Sequence, residues 1–139
     1  NLPLIYKFIS RQSNDARTKG YVTTLGGYRL QVPRGEPHKA ANYFVQGSAG
    51  WAMVLALVRC DEYLRGINAD IGRDEYYMNM TIHDELDFDF PARKGNTPKI
   101  RRIKQLMEQS GDELGRPTPV DVEIIKKTWA NGEGLSLAT

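Results

Sequence analysis

Apolar and polar residues alternate along residues 77–90, and the alternation is interrupted once, at His83-Asp84-Glu85. The apolar positions on either side are Met78, Met80 and Ile82, then Leu86, Phe88 and Phe90. A period of two is typical of a strand with one buried face, so the pattern predicts a β-hairpin over residues 76–90. The predicted turn would raise one histidine and two carboxylates off a rigid sheet.

A helix and another hairpin are predicted in the first third of the chain. Apolar residues recur at helical spacing after Pro3, a good first-turn residue, and Gly20 ends the pattern, which predicts a helix over residues 3–19. Gly26-Gly27 then separates two β-prone runs. Paired glycines favour a tight hairpin there, because the preferred turns need positive φ.

One long helix is predicted from residue 39 to about residue 65, ending near Gly66. Its segment 51–58 is apolar on all sides, so we expect it to be buried beneath other elements. Its first half instead carries polar side chains and two glycines, namely Asn42, Gln46, Gly47, Ser48 and Gly50. Glycine lowers helix stability. Two explanations stay open: small residues permit close packing, and they also suit a helix end against which a ligand backbone lies.

A helix and a further strand are predicted in the last third of the chain. Thr97-Pro98 supplies a cap and a first-turn proline for a basic amphipathic helix that ends at Gly111. Residues 120–124 alternate like a strand, which we expect to join the sheet. The predicted fold class is therefore α+β, with one antiparallel sheet backed by helices.

Composition excludes several classes of protein. The chain has 139 residues, of which 40% are hydrophobic and 26% charged, and this is typical of a folded globular domain. Cys60 is the only cysteine and there are two histidines, which excludes an internal disulfide, a cysteine zinc cluster and a His-rich metal site. The longest apolar run, 51–58, is far shorter than the ~20 residues that span a bilayer, so we expect no membrane contact. Because there is a single cysteine and no segment resembles a secretory signal, we expect a cytoplasmic or similarly reducing location.

Charge is distributed unevenly although the formal net charge is only +2. The cations of the first third are Lys7, Arg11, Arg17, Lys19, Arg29, Arg34 and Lys39, while carboxylates crowd residues 84–89. A basic flank beside an acidic centre suits a site that holds a phosphate backbone and also binds cations. Ordinary solvated surfaces explain the same pattern.

The carboxylates of the predicted turn suggest metal chemistry. Magnesium prefers oxygen ligands and is usually held by one or two protein carboxylates with waters and substrate phosphates. Asp84 is a candidate ligand for phosphoryl transfer, but a two-metal site needs a second bridging carboxylate from elsewhere. We expect Asp87 and Asp89 to line the solvated face of the following strand. Taken alone, the triplet is more often a solvated turn.

Three segments in the same order and spacing resemble the C-terminal part of family A DNA polymerases, of the bacterial polymerase I and phage replicative type. They are Gly20 to Leu30, Asn42 to Ala49, and Ile82-His83-Asp84-Glu85-Leu86. The resemblance extends from about Pro3 to the Val120-Asp121-Val122-Glu123 segment. Three blocks in register are far more specific than any one of them.

The resemblance implies catalytic roles for the turn. Asp84 would be the palm aspartate of motif C, a ligand of the catalytic Mg²⁺ ions, and Glu85 would be its neighbour near the metals. His83 would lie against the primer terminus. The motif A aspartate that bridges both metals would lie upstream of Asn1, as would the fingers helix that grips the nucleotide. In the family both aspartates stabilise the charge of phosphoryl transfer, so we expect this chain to be inactive alone.

The resemblance also implies DNA contacts. Asn42 and Gln46 would hydrogen-bond in the minor groove of the new duplex, where the acceptors are similar for all correct pairs. Arg29 would contact backbone phosphate. The sequence departs from the family at three positions: Tyr28 stands where Arg is usual, Gly50 replaces a common Ala in a phage-like way, and Asp87 replaces an apolar residue.

The implied organisation is a helix connecting fingers to palm over residues 1–20 and the C-terminal part of the palm over residues 21–139. The implied partners are primer-template DNA, deoxynucleoside triphosphates and an N-terminal polymerase half, in the same chain or a separate subunit, in a bacterial or phage-infected cell. A start at Asn1 fits a fragment, a processed product or a split subunit. The alternative from another class is a non-catalytic duplex DNA-binding module derived from a polymerase palm.

Overall fold

The computed structural model describes residues 2–93, 95–126 and 128–135, and it divides into two compact units, Asn1–Ala52 and Met53–Thr139. The helices are α1 (Leu2–Lys19), α2 (Ala40–Ile71) and α3 (Thr97–Asp112), with 3₁₀ turns at Pro37–Lys39 and Trp129–Asn131. The strands are β1 (Tyr21–Thr23), β2 (Arg29–Gln31), β3 (Tyr77–Ile82), β4 (Glu85–Asp89), β5 (Glu123–Ile125) and β6 (Gly132–Gly134). Helices combined with antiparallel strands confirm the predicted α+β class.

The first unit is built around the β1–β2 hairpin, whose register pairs Val22 with Leu30. Its core comprises Ala16, Val22, Val32 and Ala40, with Leu30, Tyr43 and Phe44 packed around them. The hairpin loop is longer than the predicted two-glycine turn. Gly27 donates to the Thr24 carbonyl (3.0 Å) and alone in this loop has positive φ (+84°), so its backbone needs glycine for conformational reasons.

Gly26, the other glycine of this loop, is required by close packing rather than by its backbone conformation. A Cβ atom built on Gly26 would overlap the ring of Trp51 on α2. A Cβ on Gly47 of the same helix would overlap the Leu30 side chain and lie 2.9 Å from Cγ2 of Thr24. The close-packing explanation therefore accounts for Gly47. It does not account for Gly50, around which a Cβ would have nothing within 4 Å.

Alanine at the two helix glycines should act in opposite directions. Gly47→Ala forces Leu30 and the buried Thr24 to move, and overpacking of this kind costs about 1–3 kcal/mol. Gly50→Ala meets open space and should raise the free energy of unfolding by about 0.5–1 kcal/mol, because it removes a mid-helix glycine. Urea denaturation of both variants checks this. A stabilising Gly47→Ala would contradict the packing explanation.

Helix α2 continues past the predicted end, through Gly66 to Ile71, and ends before Gly72, which has a φ of +67°. The expectation that 51–58 is buried on all sides is wrong at Val54 and Val58, which are 48% and 46% exposed. In the part of the chain that the structure describes, α2 and the other helices are each too short or too polar to cross a membrane.

The second unit packs the β3–β4 hairpin against α2 and α3. Its hydrophobic core comprises the buried residues Cys60, Leu64, Tyr76, Ile103 and Leu106, and Met78, Leu86, Phe88 and Phe90 of residues 76–90 pack against them. Burial raises the pKa of the Cys60 thiol to about 11, as expected for a sulfur held among apolar side chains. The alternating residues of β4 therefore form the apolar face that the sequence predicts.

A β-bulge changes the faces of β3. Met78 pairs with Phe88 but Met80 pairs with Asp87, so Asn79 is the extra residue. Met78 packs in the core, whereas Met80 is 49% exposed. The prediction that Met78, Met80 and Ile82 share one buried face is wrong, because a single inserted residue moves the following side chains to the other face.

The last hairpin, β5–β6, does not pair with β3 or β4. Helix α3 occupies the predicted range, but the prediction that Thr97 caps it is wrong, because Thr97 is already helical and the N-cap is Asn96, which forms no side-chain capping hydrogen bond. β5 begins at Glu123 rather than Val120 and pairs with β6, Ile124 opposite Glu133. The expectation that this strand joins the same sheet as the 76–90 hairpin is wrong. Over residues 2–93, 95–126 and 128–135 the strands form three separate two-stranded antiparallel sheets.

Candidate functional site

The turn between β3 and β4 consists of two residues, His83 and Asp84, enclosed by the paired residues Ile82 and Glu85. His83 has a φ of +54°, a left-handed conformation in which histidine is found more often than most side chains. Both turn residues are exposed. The predicted turn is confirmed for His83 and Asp84. Glu85 is instead the first residue of β4, because it pairs with Ile82.

Carboxylates alternate along one face of β4. Glu85, Asp87 and Asp89 lie at every second position, opposite the side that carries Leu86 and Phe88 into the core. Glu85 and Asp89 are exposed, as expected for a solvated face, while Asp87 is half-buried. Asp84 at the turn adds a further carboxylate to this end of the hairpin.

The carboxylates do not assemble a complete metal site by themselves. Among the described residues, no group of three or more His, Cys, Asp or Glu side chains is placed to hold a metal ion. Asp84 and Glu85 nevertheless supply exposed oxygen donors of the kind that Mg²⁺ prefers, and neither forms an ion pair with another described residue. The donor set fits a magnesium site shared with other ligands.

Asn68, near the end of α2, holds the start of this hairpin. Its side-chain carbonyl accepts hydrogen bonds from the backbone N–H groups of Glu75 and Tyr76, both 3.1 Å, and its amide donates to the Tyr76 carbonyl at 2.9 Å. The Tyr76 ring is buried and meets Phe90 edge-on at 5.0 Å. The turn therefore projects from an anchored strand pair. The sequence does not point to Asn68, because a single asparagine near the end of a helix carries no distinctive signal.

Asn42 and Gln46 lie one helical turn apart on α2 and are both exposed. Ser48, two residues further, is 5% exposed and faces the hairpin loop instead. Residues four apart share a helix face, whereas residues two apart lie on nearly opposite faces. The two amides that the sequence singles out are therefore brought together on one accessible face.

Arg29 and its neighbour Tyr28 have different surroundings. The exposed guanidinium of Arg29 stacks over the Tyr21 ring, 4.7 Å from its centroid, which holds the cation at the strand edge. Tyr28 is turned inward: its hydroxyl donates to the Gly47 carbonyl at 2.5 Å, and its ring lies 5.7 Å from that of Trp51. A tyrosine engaged in this way is not presented for a phosphate contact.

A cationic groove of about 520 Å³ lies in the first unit. It is lined by Lys7, Phe8, Arg11, Gln12, Asp15, Lys19, Thr23 and Phe44. Lys19 is paired with Asp15 at 2.8 Å, which leaves Lys7 and Arg11 as the uncompensated charges of the lining. The structure thus gathers three of the cations that the sequence places in the first third, and their excess positive charge suits an anionic ligand.

The expected site residues fall into two groups. His83, Asp84 and Glu85 are contiguous at one end of a hairpin in the second unit, while Arg29, Asn42 and Gln46 belong to the first unit. All six residues are exposed. The roles expected for the individual residues remain predictions.

Known proteins resemble this chain over almost its whole length. The sequence model of DNA polymerase family A matches residues 1–131. A DNA polymerase of Mycobacterium phage D29 is 30% identical over 130 residues, covering 93% of this chain and 19% of that protein. A thermostable DNA polymerase I of Thermus filiformis is 27% identical over 140 residues, covering 93% and 16%. The chain therefore spans less than a fifth of the length of these relatives.

The fold is matched by a solved structure, the POL domain of Pol1 from M. smegmatis in complex with DNA primer-template and dNTP. The two share a TM-score of 0.61 and 21% identity, over 76% of this chain and 19% of the other. At that identity the match supports the fold alone. Because the family's sequence model covers all but the last residues, the chain belongs to DNA polymerase family A.

Proposed function

We propose that this chain is the C-terminal palm part of a template-directed DNA polymerase, active in nucleotidyl transfer only together with an upstream polymerase half. The observation that carries the proposal is Asp84, an exposed carboxylate at the tip of an anchored two-residue turn in a family A chain. Residues 1–20 would connect the fingers to the palm, and residues 21–139 would belong to the palm.

Asp84 would hold magnesium, with Glu85 beside it at the first position of β4. Bound Mg²⁺ stabilises the negative charge that develops during phosphoryl transfer. The exposed turn lets Asp84 approach a second carboxylate and substrate phosphates contributed from outside this chain. His83, whose positive φ turns it away from the regular strand, would contact the primer terminus.

Asn42 and Gln46 would bind the minor groove of the newly formed duplex. Each amide can donate to the purine N3 and pyrimidine O2 acceptors, which occur in every correct base pair. The amides can therefore test pair geometry without reading sequence. Arg29 and the cationic groove would hold backbone phosphates, consistent with the primer-template DNA and dNTP named for the M. smegmatis Pol1 structure. The phage and bacterial relatives support action in the bacterial cytoplasm.

The second candidate is a duplex DNA-binding module that does not catalyse. The cationic groove favours it, because Lys7 and Arg11 serve phosphate binding whether or not a metal site is completed. The exposed Asp84 favours the polymerase, since a module that only binds DNA gains nothing from a carboxylate facing a polyanion.

Reconstitution separates the two candidates. This chain, the upstream polymerase half, and the two combined are each supplied with primer-template, dNTPs and Mg²⁺, and primer extension is followed on a gel. We expect extension only from the combination, since no metal cluster forms among the described residues of this chain. DNA binding by the combination without extension would instead support the binding module.

A further inference from the structure

The loop between β1 and β2 is fastened to the helix turn that carries Gln46. The Leu25 backbone N–H donates to Oγ of Ser48 at 3.0 Å, and the Ser48 hydroxyl in turn donates to the Phe44 carbonyl at 2.7 Å. The Tyr28 hydroxyl donates to the Gly47 carbonyl at 2.5 Å. We call the contact between loop residues 24–28 and helix residues 44–51 the latch.

The latch leaves the helix little freedom to turn about its axis. Two glycines, Gly26 in the loop and Gly47 in the helix, bring the two segments so close that a Cβ at either would overlap its neighbour. The Trp51 ring fills the space over Gly26 and contacts the Tyr28 ring. Rotation of the helix would break the hydrogen bonds and drive these side chains into the loop backbone.

Gln46 lies on the opposite face from the latch. The latch positions Phe44, Gly47, Ser48 and Trp51 follow the i, i+3, i+4, i+7 spacing of one helix face. Gln46 is exposed and lies 200° around the helix from Ser48, two residues at 100° each. A helix whose inner face is fixed in this way presents its outer side chains at a fixed angle.

We propose that Tyr28 and Ser48 are positioning residues for base-pair discrimination, because they fix the helix face from which Gln46 reaches the minor groove. This inference rests on the proposed function and adds two residues to it. Neither side chain touches DNA in this scheme: Ser48 is 5% exposed, and the Tyr28 hydroxyl is directed at the helix backbone. Loss of either side chain should make the orientation of Gln46 less well defined and so weaken its discrimination of base-pair geometry, without unfolding the chain.

The test measures primer extension by the polymerase assembled from this chain and the upstream half, on correctly paired and mispaired primer termini. Tyr28→Phe removes one hydroxyl and should lower the discrimination ratio about three- to tenfold, the equivalent of one hydrogen bond. Ser48→Ala should do the same. Tyr77→Phe is the matched control, since its hydroxyl also donates to a backbone carbonyl, that of Asp74, but at an exposed site outside the latch.

A double-mutant cycle with Gln46→Ala decides between positioning and general stability. If Tyr28 and Ser48 act through Gln46, Tyr28→Phe and Ser48→Ala should change discrimination little once Gln46 is alanine. Equal effects in both backgrounds, or no effect of either variant on discrimination, would overturn the inference while leaving the proposed function standing. If Gln46→Ala itself leaves discrimination unchanged, the minor-groove role and the inference fall together.

Discussion

Replacing Asp84 with alanine should abolish primer extension by the reconstituted polymerase, with a loss of at least about 10³-fold, the upper range for removing one preorganised electrostatic group. The physical reason is the loss of a metal ligand where charge develops in the transition state. Because Asp84 is exposed in a turn, the substitution should change the free energy of unfolding by no more than about 0.5 kcal/mol. Single-turnover extension and thermal unfolding measure the two quantities.

Two further variants show whether the effect belongs to Asp84 or to local negative charge. Asp84→Asn keeps the shape and removes the charge, and it should be as inactive as alanine. Asp89→Ala removes an exposed carboxylate from the same hairpin and should extend primers normally. Extension by Asp84→Ala at the native rate would exclude a catalytic role for Asp84. Equal losses at Asp84 and Asp89 would indicate a general charge effect.

Replacing Gln46 with alanine should lower extension from a correctly paired terminus about tenfold, the equivalent of one to two hydrogen bonds at ~1 kcal/mol each. Extension from a mispaired terminus should fall less, because the lost contact reports correct geometry. The side chain is exposed on α2, so unfolding should be nearly unchanged. Steady-state extension on the two primer termini and a thermal melt provide the measurements.

Gln105→Ala is the matched control, since Gln105 is an exposed glutamine in the middle of helix α3. It should leave both extension rates unchanged. If Gln46→Ala unfolds the chain while Gln105→Ala does not, the amide serves packing and the minor-groove role is lost. If both variants extend normally, Gln46 makes no energetically important contact with the duplex.

The sequence predicted best where local rules decide the structure. The helix after Pro3, the two hairpins and the α3 helix follow from period, turn residues and first-turn prolines, each of which acts over a few residues. The same rules do not say which polar side chains of α2 are exposed, since Asn42 and Gln46 are exposed whereas Ser48 is buried.

What the sequence did not reveal depends on contacts between distant segments. The bulge at Asn79 has no local signal, and the register of its strand is set by how Met78 and Phe88 pack in the core. Tyr28 stands where the family usually has arginine, and its role is set instead by the hydrogen bond that its hydroxyl donates to a carbonyl 19 residues away. β5 is the exception: it pairs with β6 only seven residues further along the chain, Ile125 opposite Gly132, and alternation alone does not specify which strand is the partner.

The glycines of the latch also bear on how such chains vary among relatives. Gly26 is matched to Trp51 and Gly47 to Leu30, because each glycine leaves only the space that its partner fills. A larger residue on one side is compatible with this packing only if the other side becomes smaller. Variation at these four positions should therefore occur as correlated exchanges, with two residues changing together in each pair.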